Sequence, residues 1–193
     1  MTSFKLELYR KSIHISSSII PLFYVFLSKK LTLEILIPFA FAFTLVDIVR
    51  VNINFINKIY IKILKDILRV SEIKRFTGAT YLLISSVIVI MIYDKGIAIA
   101  CLLFLTLSDS LAALFGKSIG KIKIKDKTLE GSIAFLLSSI VIVYFIKSLN
   151  FTVGLFGAIV ATIIELFVTN INDNLSIPII SGLVMQLVKS FMM

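Results

Sequence analysis

Apolar residues gather along the chain into runs at about 13–28, 32–49, 78–93, 96–114, 132–147, 152–169 and 177–192, parted by short polar stretches. Each run approaches the roughly 20 residues a helix needs to cross a bilayer, so the pattern predicts about seven transmembrane helices. The segment 52–75 follows a different rule. Ile53, Ile56, Tyr60, Ile63, Leu64 and Ile67 recur at helical spacing, and Lys58, Lys62, Lys65 and Arg69 form the opposite stripe. This predicts an amphipathic helix lying on the membrane surface, with its basic face toward lipid headgroups. In the stretch "KIKIKDK" at 121–127, Lys121, Lys123 and Lys125 alternate with Ile122 and Ile124. Period two suits an extended strand, though the same residues suit a plain positively charged loop.

Composition supports the membrane reading. The chain has 193 residues, is 59% hydrophobic and has a mean hydropathy of +1.04. A soluble domain of that length cannot hide so much apolar surface. The expected fold is therefore an all-α polytopic membrane protein, one bundle over 1–193 with a basic amphipathic surface helix and no separate soluble domain. Lys5, Arg10 and Lys11 ahead of "IHISSSIIPLFYVFL" resemble the start of a signal peptide, but no small-residue cleavage site follows. The first run is thus expected to be retained as a span. Cys101 stands alone in an apolar run and reads as a small packing residue.

Charge sets the expected orientation. The net charge is +9, and the lysines sit between apolar runs, so anionic lipid headgroups and phosphates are expected partners and nucleic acid is not. With the N-terminus inside, fifteen of the twenty basic residues face the cytoplasm, in the N-terminal segment and in the loops at 50–77 and 115–131. Lys29, Lys30, Lys95, Lys147 and Lys189 face out. That asymmetry predicts a cell-membrane protein with its N-terminus and its site on the cytoplasmic side.

Ionisable residues inside spans cost about 2.5–3.5 kcal/mol each on insertion scales, so each calls for a reason. His14, Asp47, Asp109 and Glu165 are the cases. Singly, His14 reads as a satisfied interfacial residue, Asp47 as a partner of Arg50 one turn on, and Glu165 as a hydrogen-bonding group within the bundle. Under the assigned topology, however, Asp47, Asp109 and Glu165 lie at similar depth just below the cytoplasmic surface. Three acids beside many basic residues make a cation-and-phosphate site, with carboxylates for Mg²⁺ and lysines or arginines for phosphate oxygens. Gly154, Gly157 and Ala161 read as helix-packing residues, and Ser16, Ser17 and Ser18 as helix–helix hydrogen-bonding groups. The "GKS" at 116–118 is not the end of a P-loop, because Leu111 stands where that motif requires glycine.

Five stretches carry a resemblance: "RKSIH" at 10–14, "DIVR" at 47–50, "TGATY" at 77–81, "SDSLAALFGKSIGKIKIKDKTLEGS" at 108–132 and "ELFVTNINDNLSIP" at 165–178. In order and spacing they resemble the CTP-dependent lipid-alcohol kinases, namely dolichol kinase, phytol kinase and the yeast-type diacylglycerol kinase. These are related to the phosphatidate cytidylyltransferases. The resemblance implies a single integral-membrane kinase domain that uses Mg²⁺ and transfers the γ-phosphoryl group of CTP to a membrane lipid alcohol. It places Asp109, Glu165 and Asp173 as metal ligands, and Asp109, Lys127 and Glu130 in the catalytic set, with His14 or Asp47 accepting the proton. Nucleotide contacts fall on Arg10, Lys11, Gly116, Lys117, Gly120, Lys121, Lys127, Gly131, Ser132 and Asn174. Ser108 and Thr128 depart from the glycine and serine common at those positions. Two other functions fit parts of the pattern: a cytidylyltransferase, which releases pyrophosphate, and a small transporter. Transporters place such acids near the midplane between internal repeats, and no repeat is present here.

Overall fold

The computed structural model describes residues 3–64, 67–68, 70–168 and 171–192. Among the described residues ten α-helices follow one another: α1 (Ser3–Ser16), α2 (Ile19–Phe26), α3 (Lys29–Asn52), α4 (Asn54–Leu64), α5 (Gly78–Ile92), α6 (Lys95–Leu103), α7 (Asp109–Ile119), α8 (Leu129–Phe145), α9 (Phe151–Phe167) and α10 (Asp173–Met192). A π-helical segment, Phe104–Ser108, joins α6 to α7 without a break. Between α7 and α8 lies an antiparallel ribbon of two residues per strand, β1 (Lys123–Ile124) and β2 (Lys127–Thr128), which turns through Lys125 at φ 53°. The period-two lysine stretch is thus not one strand but a small hairpin, extended at Lys123–Ile124 and again from Lys127.

Side chains mark where the helices start. Ser28 caps α3, Thr77 caps α5, Thr128 caps α8 and Asn150 caps α9, each accepting a hydrogen bond from a first-turn N–H. Asn172 accepts from Asn174 N at 3.0 Å where α10 begins. That helix begins earlier than the apolar run at 177–192, which brings Asp173 and Asn174 onto its first turn.

The central rod is α6 with its π-helical continuation. Every residue of α6 from Gly96 to Leu103 is buried, and α2, α5, α8, α9 and α10 pack around it. Lys29–Asn52, Lys95–Ile119 and Asp173–Met192 are long and apolar enough to cross a membrane, at roughly 30–38 Å each. Gly78–Ile92, Leu129–Phe145 and Phe151–Phe167 are shorter apolar helices. The outer surface carries a belt of bare Phe, Ile and Leu, with Phe145 74% and Phe26 87% exposed. Water does not favour such a surface and lipid does. These are the features of a multi-pass membrane protein.

Three expectations need correction. The run at 13–28 is not one continuous helix but α1 and α2 with a bend between them. The hydroxyls of Ser16 and Ser17 return to the carbonyls of Ser12 and Ile13, a pattern that bends helices, so they do not bond across helices. Only Ser18 does so, donating to Thr106 Oγ1 at 2.9 Å. The amphipathic helix is shorter than 52–75: α4 ends at Leu64, and a 3₁₀ turn occupies Val70–Glu72. Lys65 and Arg69 of its basic stripe lie outside the described residues.

Candidate active site

Three carboxylates from different helices converge on one ammonium group. Lys127 Nζ lies 2.9 Å from Asp173 Oδ2, 3.0 Å from Glu165 Oε1 and 4.0 Å from Asp109 Oδ1. Lys11 Nζ from α1 donates to Asp109 Oδ2, and Ser132 Oγ donates to Glu165 Oε2 at 2.9 Å. Asp109 stands where the π segment returns to α-helix, and such segments often occur at functional sites because they change which way the following side chains face. Beside it, Ser108 is buried and accepts from Ser139 Oγ at 2.9 Å, so the serine in place of glycine has a partner across the bundle.

Lys127 is set by the ribbon that carries it. Lys125 Nζ donates to Phe167 O at the end of α9, and Glu130 accepts from the N–H groups of Lys121 and Ile122 at 2.9 and 3.2 Å. Cations suit the carbonyl end of a helix, and these bonds fix the ribbon over α8 and α9. Gly131 has a separate role: a Cβ there would stand 2.7 Å from Ala112 O, so glycine lets α8 lie against α7. Burial pulls the Lys127 ammonium toward neutrality. Asp109, Asp173 and Glu165 outweigh that and hold its pKa above the ordinary lysine value.

The cluster opens into a cavity of about 600 Å³ lined by Lys11, Asp109, Gly116, Lys117, Gly120, Lys127, Gly131, Glu165 and Asp173. Glu7, Lys123, Asp126 and Thr128 also line it. Sequence reasoning missed those four. The "ELYRK" spacing that stacks Glu7 beside Arg10 and Lys11 on α1 was the available signal for the first, and Lys117 Nζ donates to Glu7 at 3.0 Å.

A second cavity, about 300 Å³ and mostly apolar, lies beside the first and shares Lys11 with it. Arg10, His14 and Asn174 line this one. His14 Nε2 is 3.0 Å from Asn174 Oδ1, and Nδ1 is 3.4 Å from Ser110 Oγ, the neighbour of Asp109. With Nε2 donating to the amide oxygen, Nδ1 keeps its lone pair.

Six residues stand differently from expectation: Arg10 and Asn174, expected at the nucleotide, line the second cavity instead, and four others depart in other ways. Asp47 does not share the cavity of Asp109 and Glu165. Its Oδ1 accepts from Arg50 Nε, and its Oδ2 accepts from Thr77 N at 2.7 Å, Thr77 Oγ1 at 3.0 Å and Thr80 Oγ1 at 2.7 Å. A carboxylate with both oxygens so engaged and 1% exposed has the geometry of a structural anchor. Glu130 faces the loop backbone, so its effect on Lys127 passes through the ribbon. Lys121 is held in that same loop and does not line the cavity, where Lys123 stands instead. Ser132 is buried against Glu165 and orients it.

Mg²⁺ was expected on Asp109, Glu165 and Asp173, whose carboxylates are the kind of donor a hard cation takes, but all three are engaged with Lys127. Among the described residues no three acidic, histidine or cysteine side chains are gathered around an open metal position, because the Lys127 ammonium holds the centre.

No family model and no solved structure matches the chain. Three proteins are similar over nearly all of it. The uncharacterized protein RP860 of Rickettsia prowazekii is 32% identical over 187 residues, covering 91% of each chain. The uncharacterized protein MJ1137 of Methanocaldococcus jannaschii is 32% identical over 190 residues, covering 93% of each. CTP-dependent diacylglycerol kinase 1 of Saccharomyces cerevisiae is 26% identical over 221 aligned positions, covering 97% of this chain and 75% of the yeast protein. The chain thus belongs to the family of the Rickettsia and Methanocaldococcus proteins, with the yeast kinase a distant relative.

Proposed function

We propose that the chain is a single integral-membrane kinase domain that transfers the γ-phosphoryl group of CTP to the hydroxyl of a membrane lipid alcohol, giving the lipid monophosphate and CDP. The observation that carries this reading is the Lys127 ammonium held among Asp109, Glu165 and Asp173 on the wall of a lysine-lined cavity. Phosphoryl transfer needs little covalent help from a protein; it needs positioning and neutralisation of charge. Lys11, Lys117, Lys123 and Lys127 supply cations for a triphosphate. The distant yeast relative, named for CTP-dependent diacylglycerol phosphorylation, agrees in reaction class.

When phosphate oxygens take Lys127, Glu165 and Asp173 are released as oxygen donors beside Asp109. Mg²⁺ held by these carboxylates would neutralise charge on the β- and γ-phosphates. The acceptor hydroxyl reaches the γ-phosphorus from the second cavity, where His14 on its wall takes the proton. The new bond joins the lipid oxygen to phosphorus, and the bond that breaks leaves its electron pair on the β-phosphate oxygen of CDP. The excess of basic residues in the segments around the site supports a cytoplasmic orientation in the cell membrane, with the lysines of α4 available to anionic headgroups.

Purified protein incubated with Mg²⁺, γ-labelled CTP and a panel of lipid alcohols is expected to yield labelled lipid monophosphate and CDP. Release of pyrophosphate with a CDP-lipid would replace the reading with cytidylyl transfer. No label transfer from CTP or ATP would end it.

A further inference from the structure

Below His14 the second cavity is walled by apolar side chains from four elements: Ile13 of α1, Phe43 of α3, Leu82 of α5, and Tyr60 and Leu64 of α4, with Leu68 just beyond it. Tyr60 and Leu64 stand one turn apart on α4, the spacing that sets side chains above one another, and Leu68 lines the groove from the segment beyond the helix. No residue of α4 is buried, so this helix is not part of the packed core. Its contribution is to close one side of a groove that leads to His14. An apolar groove beside a basic cavity, with an imidazole at their junction, has the polarity of a lipid alcohol entering hydroxyl first.

The polar groups of the wall narrow the choice of lipid. His14 and Asn174 hold each other, and Asn174 Nδ2 also donates to Gly78 O at 2.7 Å. Thr77 is held by Asp47, and Ser17 returns its hydroxyl to Ile13 O. Arg10 Nε is a buried donor with no hydrogen-bond partner. It is a single donor, enough for one lipid oxygen. A glyceride brings two ester groups into the same space, and their remaining carbonyls would be stripped of water without replacement. The volume, about 300 Å³, is also at the lower end for a ligand pocket.

Resting on the kinase reading, we infer that this groove is the acceptor site, that it takes the hydroxyl end of a single-chain lipid alcohol in preference to a diacylglycerol, and that Tyr60, Leu64 and Leu68 of the surface segment select that chain. The surface helix is then a specificity element and not only an anchor. Its position lets the acceptor enter from lipid while the nucleotide enters from water, and the two meet at Lys11 and His14.

Two substitutions fill the groove without touching the basic cavity: Leu64→Trp on the unburied helix, and Ala79→Phe on α5. Each is expected to raise KM for a single-chain alcohol such as geranylgeraniol by about tenfold or more, with KM for CTP changed by less than about twofold. A second measurement needs no turnover. A photoreactive geranylgeraniol analogue should label peptides containing residues 60–68 or 78–82 in the wild-type protein, unlabelled geranylgeraniol should compete and dioleoylglycerol should not, and Leu64→Trp should lose the label. Labelling without any phosphoryl transfer would sustain the groove and strike the kinase reading instead. Unchanged KM and labelling in both variants, or equal use of dioleoylglycerol and geranylgeraniol by the wild type, would overturn the inference.

Discussion

Asp47 and Asp109 are both buried carboxylates with a basic partner, yet one is closed and the other open. Asp47 accepts from Arg50, Thr77 and Thr80, and the Arg50 guanidinium goes on to the carbonyls of Glu72 and Arg75 and lies 4.8 Å from the Tyr60 ring centroid. Every bond of that cluster ends on the protein, and it ties the end of α3 to the start of α5. Asp109 accepts from Lys11 and shares Lys127 with Glu165 and Asp173, and the four side chains beside it line a cavity. Burial of charge alone therefore does not mark chemistry. What distinguishes the two clusters is whether the charged groups face a space that something else can enter.

The sharpest test of that distinction is Asp109→Asn. It keeps the shape and removes the charge, so kcat/KM for phosphoryl transfer is expected to fall by about 1,000-fold or more. Thermal unfolding in detergent should show less loss of stability than in Arg50→Ala. Near-normal turnover at ordinary Mg²⁺ concentration would break the comparison on the open side. On the closed side, Arg50→Ala leaves a buried carboxylate unpaired and is expected to cost about 3–5 kcal/mol of stability. Activity per folded molecule should hardly change. A variant that kept its unfolding temperature and lost catalysis would place the Asp47 cluster in the chemistry after all.

Smaller effects sharpen the picture. Lys127→Ala is expected to lose about 2–4 kcal/mol of transition-state stabilisation, or roughly 30- to 1,000-fold in rate. Glu130→Gln, which acts only through the ribbon, should cost about tenfold at most in kcat/KM for CTP. Equal losses in the two would show that Glu130 meets the nucleotide directly. Smallest of all, Lys58→Ala and Lys62→Ala each remove headgroup attraction of about 1 kcal/mol. Turnover in vesicles should therefore change by about fivefold or less, and only where anionic lipid is present.

Much of this was legible in the sequence because membrane insertion makes charge expensive and visible. Asp109 and Glu165 stood out as acids in apolar runs, and the lysines between runs pointed to a basic loop. Their convergence on Lys127 needed the fold. Depth along a helix can be counted from sequence, but direction around the bundle cannot, and that is why Asp47 was grouped with Asp109. The Thr77 and Thr80 hydroxyls that close the Asp47 cluster carry no charge and so left no such signal. Nor did the groove-forming face of α4, whose apolar stripe reads the same whether it meets lipid tails or a substrate.

The π-helical segment at Phe104–Ser108 has a consequence for how this chain tolerates change in length. A π turn holds one residue more than an α turn. Deleting a single residue within it would restore regular α-helix and leave everything beyond it facing nearly as before, so Asp109 would still meet Lys11 and Lys127. The same deletion in the regular turns of α6 has no residue to spare and would turn Asp109 by about 100°. The segment is thus a reserve of one residue, and the chain tolerates a one-codon deletion there better than in α6.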